Sequence, residues 1–273
     1  ISGAYLKGLK WIEMLETNHS LSQEEEWQVN EMKALLLNER GNQDEFLPIW
    51  YKLLKQYREA DRPEDVGKCL LTIANHFIML EDYENALPLY KEAYQLALEH
   101  KSIELQQVSG IMLIKYLCGA RYYSESLEYY NKIKPEIAFN PSMQNEVVKS
   151  YMELNKPDSA RIYLAERSLS DKGDKIALNC MMAETYTLEK QEDSAFVYLD
   201  RAVKSYKEKT KYYQGKDREV VLPGYFLSTC YLFADLLWKK GKVQQANQYY
   251  TFVEPLMKEV VRTPIQMEFQ IKA

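Results

Sequence analysis

Small and apolar residues recur along this chain at helical spacing, in a pattern that appears five times. In each copy a small residue is followed four positions later by an apolar or aromatic residue, and usually by another apolar residue three positions beyond. Spacings of three and four place side chains on one face of an α-helix. The small residues are Ala86, Ser126, Ala160, Ala195 and Ala246, and the residues four positions later are Tyr90, Tyr130, Leu164, Leu199 and Tyr250. The pattern predicts five helices that share one packing stripe.

A second stripe lies upstream of each of these helices. Twelve positions before the small residues stand Ala74, Ile114, Val148, Ala183 and Ala234, and three positions after these stand Phe77, Leu117, Tyr151, Tyr186 and Leu237. We therefore predict helix pairs whose apolar faces meet, with small side chains where the two backbones approach closely. Residues 27–54 carry a looser copy of the pair, in which Phe46 takes the place of the small residue.

The repeats divide the whole chain. We predict a single domain over residues 1–273 with a partial unit at 1–26, followed by units at 27–66, 67–106, 107–140, 141–175, 176–226 and 227–264. The unit 176–226 contains an insertion between residues 207 and 225, and residues 265–273 are typical of the beginning of a further helix. Because the chain opens on Ile rather than Met, we expect it to be a portion of a longer protein.

Turn residues support the division into pairs. Gly41 and Gly241 occupy the same position between two helices, and Asn155 stands there in a third unit. Gly and Asn are the residues that most readily end a helix in the left-handed conformation. Asp158 and Asp193 stand just ahead of two other helices, where we expect them to act as N-caps.

These helix pairs resemble the tetratricopeptide repeat family over nearly the whole chain, as about six pairs after an N-terminal helix. Counted from Phe46, the intervals between the equivalent positions are 40, 40, 34, 35 and 51 residues, against about 34 in the family. The intervals of 40 predict longer helices or longer turns. The Trp of the family's first helix is absent, and no Pro closes the units. The resemblance implies an all-α fold, an α-solenoid wound as a right-handed superhelix.

Two short segments add a narrower resemblance. The letters PDSA at 157–160 and EDSA at 192–195 are similar to repeats in the extracytoplasmic sensor regions of bacterial membrane-bound regulators. Such regions join a repeat array to a kinase or a DNA-binding segment. The resemblance implies a periplasmic rather than cytoplasmic location, and a signal passed through the packing of the array.

The family resemblance also implies that the first helix of each pair lines a groove that binds a protein or a peptide. The candidate groove residues are Lys68, Asn75, Lys115, Asn145, Lys149, Glu184, Tyr231, Asp235 and Trp238. The groove is predicted to be cationic in its middle and acidic toward the C-terminal end. This gradient would orient an extended peptide with its carboxylate near Lys115 and Lys149. A solvated surface without a ligand is the alternative interpretation of the same charges.

Aromatic and basic segments leave further alternatives open. Tyr231 and Trp238 share a helical face, where they would stack on a sugar or a Pro-rich peptide, or pack under a following repeat. Residues 201–218 carry seven Lys or Arg against two acids, interleaved with Tyr. That segment is typical either of contact with a nucleic acid or an anionic surface, or of a long helix that runs into a solvated loop.

Leu71 stands where chaperone-tail adaptors of the family have Lys, which disfavours that subclass.

Net charge, Cys spacing and His placement argue against several classes of function. The formal net charge is −5, which argues against direct nucleic-acid binding. The four Cys are widely spaced, so we expect buried thiols rather than a zinc site. The three His are scattered and no catalytic motif occurs, so we predict no enzyme activity, cofactor or metal. No apolar run reaches the length of a membrane span.

We therefore expect a scaffold that binds a protein or peptide, as the sensing region of a larger bacterial regulator. Two alternatives stay open: a stand-alone cytoplasmic adaptor or peptide-responsive regulator, and a glycan-binding surface lipoprotein built from helical repeats.

Overall fold

The computed structural model describes residues 2–40, 43–133, 143–168, 175–213 and 224–260. Within these ranges it contains thirteen α-helices and no β-strand. The helices are α1 (Ser2–Asn18), α2 (Gln23–Arg40), α3 (Gln43–Glu59), α4 (Pro63–Met79), α5 (Tyr83–Glu99), α6 (Ile103–Gly119), α7 (Tyr123–Ile133), α8 (Gln144–Glu153), α9 (Pro157–Ser168), α10 (Lys175–Leu188), α11 (Glu192–Tyr213), α12 (Gly224–Lys239) and α13 (Val243–Val260).

The fold is an all-α solenoid of helix pairs, as predicted. Six pairs follow α1, and consecutive helices such as α4 and α5, or α12 and α13, pack against each other. The pairs predicted at 27–66, 67–106 and 107–140 begin four residues earlier than expected, with α2, α4 and α6. The predicted insertion falls partly on α11, which extends to Tyr213, and partly on residues 214–223. Residues 214–223 and 265–273 lie outside the described residues.

The packing separates the chain into two compact units, Ile1–Ser150 and Tyr151–Ala273. Here they are called unit 1 and unit 2. Each has its own buried cluster: residues of α2 to α5 form one in unit 1, and residues of α10 to α13 form one in unit 2. The single domain expected over residues 1–273 stays a prediction.

The small residues of the repeat pattern lie at the helix contacts, as predicted. Ala86, Ser126, Ala160, Ala195 and Ala246 are all fully buried. The Ser126 hydroxyl donates a hydrogen bond to the backbone oxygen of Ile114 on the partner helix, at 2.8 Å. A buried hydroxyl without an acceptor would destabilise the fold, and this bond removes that cost. The four Cys are buried and form no disulfide, and burial raises the pKa of Cys69 and Cys230 to about 12.

Seven turns between helices share one backbone geometry. Each contains a residue with φ between +52° and +75°: Asp61, Glu81, Lys101, Arg121, Asn155, Lys190 and Gly241. In the turn after α4, the N–H of Glu81 donates to Ile78 O and that of Asp82 to Phe77 O, both at 2.9 Å. These two bonds satisfy carbonyls that the end of a helix leaves free. Asn155 and Gly241 confirm the predicted caps, whereas Gly41 is outside the described ranges.

The shared turn explains the interval of 40 residues. Helices α4, α5 and α6 each contain 17 residues, and three residues join each to the next. Two such helices with their connections make up the interval. Longer helices, and not longer turns, therefore separate these units from the family's shorter repeat.

Asp158 and Asp193 are not the N-caps that the sequence suggests. Helix α9 begins at Pro157 and α11 at Glu192, so both Asp residues lie inside the first helical turn. A carboxylate there still interacts favourably with the positive end of the helix dipole.

The turn geometry predicts a gain in stability from Lys101→Gly. Lys101 is exposed and has φ of +56°, which is costly for a residue with a Cβ. We expect its replacement by Gly to raise the free energy of unfolding in urea by about 0.5–1 kcal/mol. The matched control Lys101→Ala keeps the Cβ and should change little. The converse substitution Gly241→Ala should lower the free energy of unfolding by about 1 kcal/mol. A loss of stability in Lys101→Gly would contradict this account.

His76 predicts a loss of stability below neutral pH. Its side chain is 4% exposed and lies beside Phe46, with ring centroids 5.1 Å apart. Its Nε2 has no hydrogen-bond partner among the described residues, and burial lowers the pKa of the imidazole. The unfolded chain therefore binds the proton more readily, and the free energy of unfolding falls as pH drops below about 6.5.

Urea unfolding at pH 7.5 and pH 5.5 measures this effect. His76→Leu should reduce the loss of stability on acidification, whereas His100→Gln, at an exposed histidine, should retain it. Equal pH dependence in the wild type and in His76→Leu would show that His76 does not contribute.

Candidate peptide-binding faces

First helices of neighbouring pairs lie side by side within each unit. Helix α4 contacts α6 in unit 1, and α10 contacts α12 in unit 2. Each of these helices also packs against its own second helix, so the candidate side chains project from the remaining surface. We call the exposed residues Lys68, Asn75, Lys115, Asn145 and Lys149 the basic face of unit 1. The acidic face of unit 2 consists of the exposed residues Glu184, Tyr231 and Trp238 and the half-buried Asp235.

Asn75 on the basic face is positioned by the core. Its Oδ1 accepts a hydrogen bond from the hydroxyl of Tyr90 at 2.5 Å. Tyr90 is fully buried and stacks on Tyr116, with ring centroids 5.3 Å apart. Burial raises the pKa of Tyr90, so its hydroxyl remains a donor. The Asn75 amide therefore has a defined orientation on an otherwise exposed surface.

Lys68 and Asn145 are less constrained. The Nζ of Lys68 lies 3.4 Å from Oδ1 of Asp65 in the same helix, and both Lys68 and Asn145 are exposed. An exposed pair of this kind contributes little to stability. These two side chains are accessible to a ligand without breaking any core contact.

Lys115 and Lys149 both act electrostatically on a carboxylate that the sequence pattern does not single out. Glu146 of α8 is only partly exposed, and burial raises its pKa, while the charges of Lys115 and Lys149 act in the opposite direction. Its Oε2 is buried and has no hydrogen-bond partner within the described ranges. Both lysines are exposed. The basic middle of the predicted groove thus contains two ammonium groups and one internal carboxylate.

Glu146 changes the predicted ligand contact. The charges of the predicted groove would hold the carboxylate of a peptide near Lys115 and Lys149, but the chain supplies a carboxylate there itself. The local charge is therefore smaller than two lysines alone would give. Glu146 precedes Lys149 by three residues, so the two side chains share a helical face. This spacing is the only sign in the sequence that Glu146 lies near Lys149.

In unit 2, Glu184 is the acidic residue that bonds to a neighbouring helix. Part of its side chain is exposed, but its Oε1 accepts a bond from the Thr229 hydroxyl of α12 at 3.3 Å. Protein atoms around the carboxylate raise its pKa through desolvation, although the Thr229 bond acts in the opposite direction. Glu184 therefore links the two first helices of unit 2.

The remaining candidates of the acidic face lie on α12. Tyr231 is 50% exposed and its ring packs edge-on against Tyr250 at 5.6 Å. Asp235 pairs with Lys239 at 2.6 Å, so its charge is partly neutralised. Trp238 is 51% exposed. Residues that would pack on Trp238 from a following repeat lie outside the described ranges, and that packing stays a prediction.

The basic segment 201–218 is described as far as Tyr213. Tyr206 is buried and contacts Phe226 and Phe252, with ring centroids 5.4 and 5.8 Å apart. The Nζ of Lys207 lies 5.4 Å from the Phe252 centroid. In this part of the segment, the aromatic and basic side chains belong to the packing of α11, as the helix interpretation predicted.

The basic and acidic faces belong to different units, so the predicted charge gradient along one groove stays a prediction. Among the residues that the structure describes, no group of three His, Cys, Asp or Glu side chains is placed to hold a metal ion. In the same residues, no helix is long and apolar enough to cross a membrane.

Glu146 generates a prediction on pH and stability. Because folding raises its pKa, the folded chain binds the proton more tightly. The resulting stabilisation is present below pH 4.5 and is lost as pH rises through the pKa of the folded state. Glu146→Gln removes that loss, so its stability relative to the wild type should increase between pH 4 and pH 7.5. Urea unfolding measures the difference, and the exposed Glu13→Gln is the control. A difference that does not vary with pH would contradict this assignment.

Comparison with known proteins supports the fold alone. Neither a protein-family profile nor a curated protein matches this chain. The crystal structure of BtubC (BKLC) from P. vanneervenii is similar, with a TM-score of 0.50 and 17% sequence identity. The match covers 72% of this chain and 85% of that chain. At this identity the likeness shows a shared helical fold and says nothing of what this chain binds.

Proposed function

We propose that this chain is a scaffold, similar to the tetratricopeptide repeat family, that binds an extended segment of a protein or peptide on the basic face of unit 1. The observation that supports this proposal most is the pair of exposed lysines, Lys115 of α6 and Lys149 of α8, whose charges both act on the half-buried carboxylate of Glu146. The two ammonium groups offer hydrogen-bond donors on an accessible surface.

The chemistry suits an extended backbone. A peptide in an extended conformation presents alternating N–H and C=O groups that have no partner of their own. The ammonium groups of Lys115 and Lys149 donate to its carbonyls or to an acidic side chain, and the Asn75 amide adds a fixed polar contact.

Acidic side chains are the preferred neighbours in such a segment. Five of the nine candidate residues carry donors on the basic face, and three of these are cationic: Lys68, Asn75, Lys115, Asn145 and Lys149. Glu146 and Asp65 offset part of the positive charge. A net positive surface remains, so acidic segments should associate faster and more tightly than basic ones.

The wider role is part of the proposal. In a sensor, binding on the basic face would change the packing of successive helix pairs and so pass a signal to a neighbouring segment of a larger regulator. The same binding would also serve a stand-alone cytoplasmic adaptor or a peptide-responsive regulator, for which the contact chemistry is identical.

Glycan binding is the second candidate. It is favoured by one observation, the half-exposed rings of Tyr231 and Trp238 on α12, with the carboxylate of Asp235 between them in sequence. Aromatic faces stack on sugar rings, and a carboxylate accepts bonds from sugar hydroxyls. This candidate places the ligand on unit 2 instead of unit 1.

A charge-reversal experiment tests the proposed function. The probe is an array of immobilised peptides of about ten residues that differ in charge and C-terminal group. The full chain should bind acidic peptides in preference to basic ones. The double variant Lys115→Glu/Lys149→Glu should weaken that binding at least about tenfold, because repulsion replaces attraction.

The control is Lys52→Glu/Lys55→Glu, which reverses two exposed lysines on the second helix α3 and should leave peptide binding unchanged. Equal losses in the two double variants would show that only net charge matters. No peptide binding, together with oligosaccharide binding that Trp238→Ala abolishes, would replace the proposal by the second candidate.

A further inference from the structure

A pocket opens in unit 2 at the edge where the beginning of α11 meets the end of α12 and the beginning of α13. Its volume is about 290 Å³. Apolar side chains line most of the pocket: Phe233 and Leu237 are buried, Phe196 and Leu236 are partly buried, and Val197 is exposed. Glu192 and Lys240 stand at the rim as an ion pair between α11 and the turn after α12. The pocket therefore has an apolar base and a charged entrance.

The corresponding place in unit 1 is occupied by a tyrosine ring. Tyr83 begins α5, three residues before the small residue Ala86, just as Glu192 begins α11 three residues before Ala195. The Tyr83 ring lies against the end of α6: a Cβ on Gly119 would stand 3.2 Å from its hydroxyl and 3.5 Å from Cε1. In unit 2 that helix position holds Glu192, which has no ring, and the space between α11, α12 and α13 stays open.

The volume fits one aromatic side chain. A cavity of about 150 Å³ is enough to bind benzene, whereas sites for drug-sized ligands begin at about 300 Å³. The pocket of about 290 Å³ lies between these limits. It is about twice the cavity that holds benzene, so a phenol ring and its methylene group fit with space to spare.

The lining suits a phenol. The rings of Phe196 and Phe233 are 5.8 Å apart in a tilted arrangement, and a third ring would meet them within the range of aromatic contacts. A hydroxyl at the rim would lie near Glu192 and Lys240. The Glu192 carboxylate would accept a hydrogen bond from it, and the Lys240 ammonium would donate one to it. An aliphatic side chain would use the floor but neither rim group.

We propose that this pocket binds a single tyrosine side chain presented by a partner protein, in the manner in which Tyr83 fills the equivalent place in unit 1. The pocket shares no residue with either candidate face, so the proposal does not depend on the proposed peptide site. The chain would then have a second attachment point, on unit 2, separate from the basic face of unit 1.

Methyl NMR spectra of the full chain test the proposal. The probes are p-cresol, which is the tyrosine side chain alone, and N-acetyl-tyrosinamide, which adds the peptide backbone. We expect both to shift the methyl signals of Val197, Leu236 and Leu237, which line the pocket, with dissociation constants in the millimolar range. N-acetyl-leucinamide should bind at least about tenfold more weakly.

The variant Glu192→Tyr places a ring in the pocket from within. It should weaken p-cresol binding at least about tenfold, while the control Glu84→Tyr adds an exposed ring at the beginning of α5 and should leave binding within about twofold. Gln245→Trp narrows the pocket from α13 and gives a second obstruction should Glu192→Tyr fail to fold. Circular dichroism confirms the fold of each variant.

Four results would overturn the proposal. The first is the absence of shifts in the lining methyl groups at saturating p-cresol. The second is p-cresol binding that neither Glu192→Tyr nor Gln245→Trp weakens. The third is equal affinity for N-acetyl-leucinamide, which would show that the pocket accepts any apolar side chain. Binding of p-cresol without N-acetyl-tyrosinamide would likewise exclude a tyrosine presented by a chain.

Discussion

The pair of backbone hydrogen bonds that closes each left-handed turn is the constraint on which the repeat depends. In the turn after α6, the N–H of Arg121 donates to Cys118 O at 3.1 Å and that of Tyr122 to Leu117 O at 2.8 Å. The same two bonds recur in seven turns of the described chain. Since the turn reverses the chain in three residues, the direction of each helix follows from the one before it. From α4 to α7, where every connection is such a turn, helix length alone then sets the interval between units.

Most of these turns accept a costly conformation without glycine. Five of the seven left-handed residues are Asp, Glu, Lys or Arg, for which that region is disfavoured. The hydrogen bonds and the burial of the small residues on both sides offset this cost. The strain is therefore spread over the array and is not confined to one functional position.

The same backbone plan supports different surfaces. In unit 1 the first helices carry lysines around the confined carboxylate of Glu146, while in unit 2 they carry Glu184 bonded to Thr229. At the edge, Tyr83 fills a place that Glu192 leaves open. Repeats that are alike in backbone thus differ in the few side chains that do not carry the packing. Those positions are where a repeat protein acquires distinct ligands.

Local periodicity determined the helix pairs, their number and the small residues at their contacts, because spacing along a helix decides which side chains share a face. It also determined the left-handed turns at Asn155 and Gly241, where the residue type itself favours the conformation. Lys101 and Arg121 give no such signal, and only the hydrogen bonds of the folded turn impose their geometry. Three features join residues from separate helices: the influence of Lys115 on Glu146, the bond between Thr229 and Glu184, and the pocket beside Phe196. Such contacts depend on how the helices pack in three dimensions, which the period of a single helix does not contain.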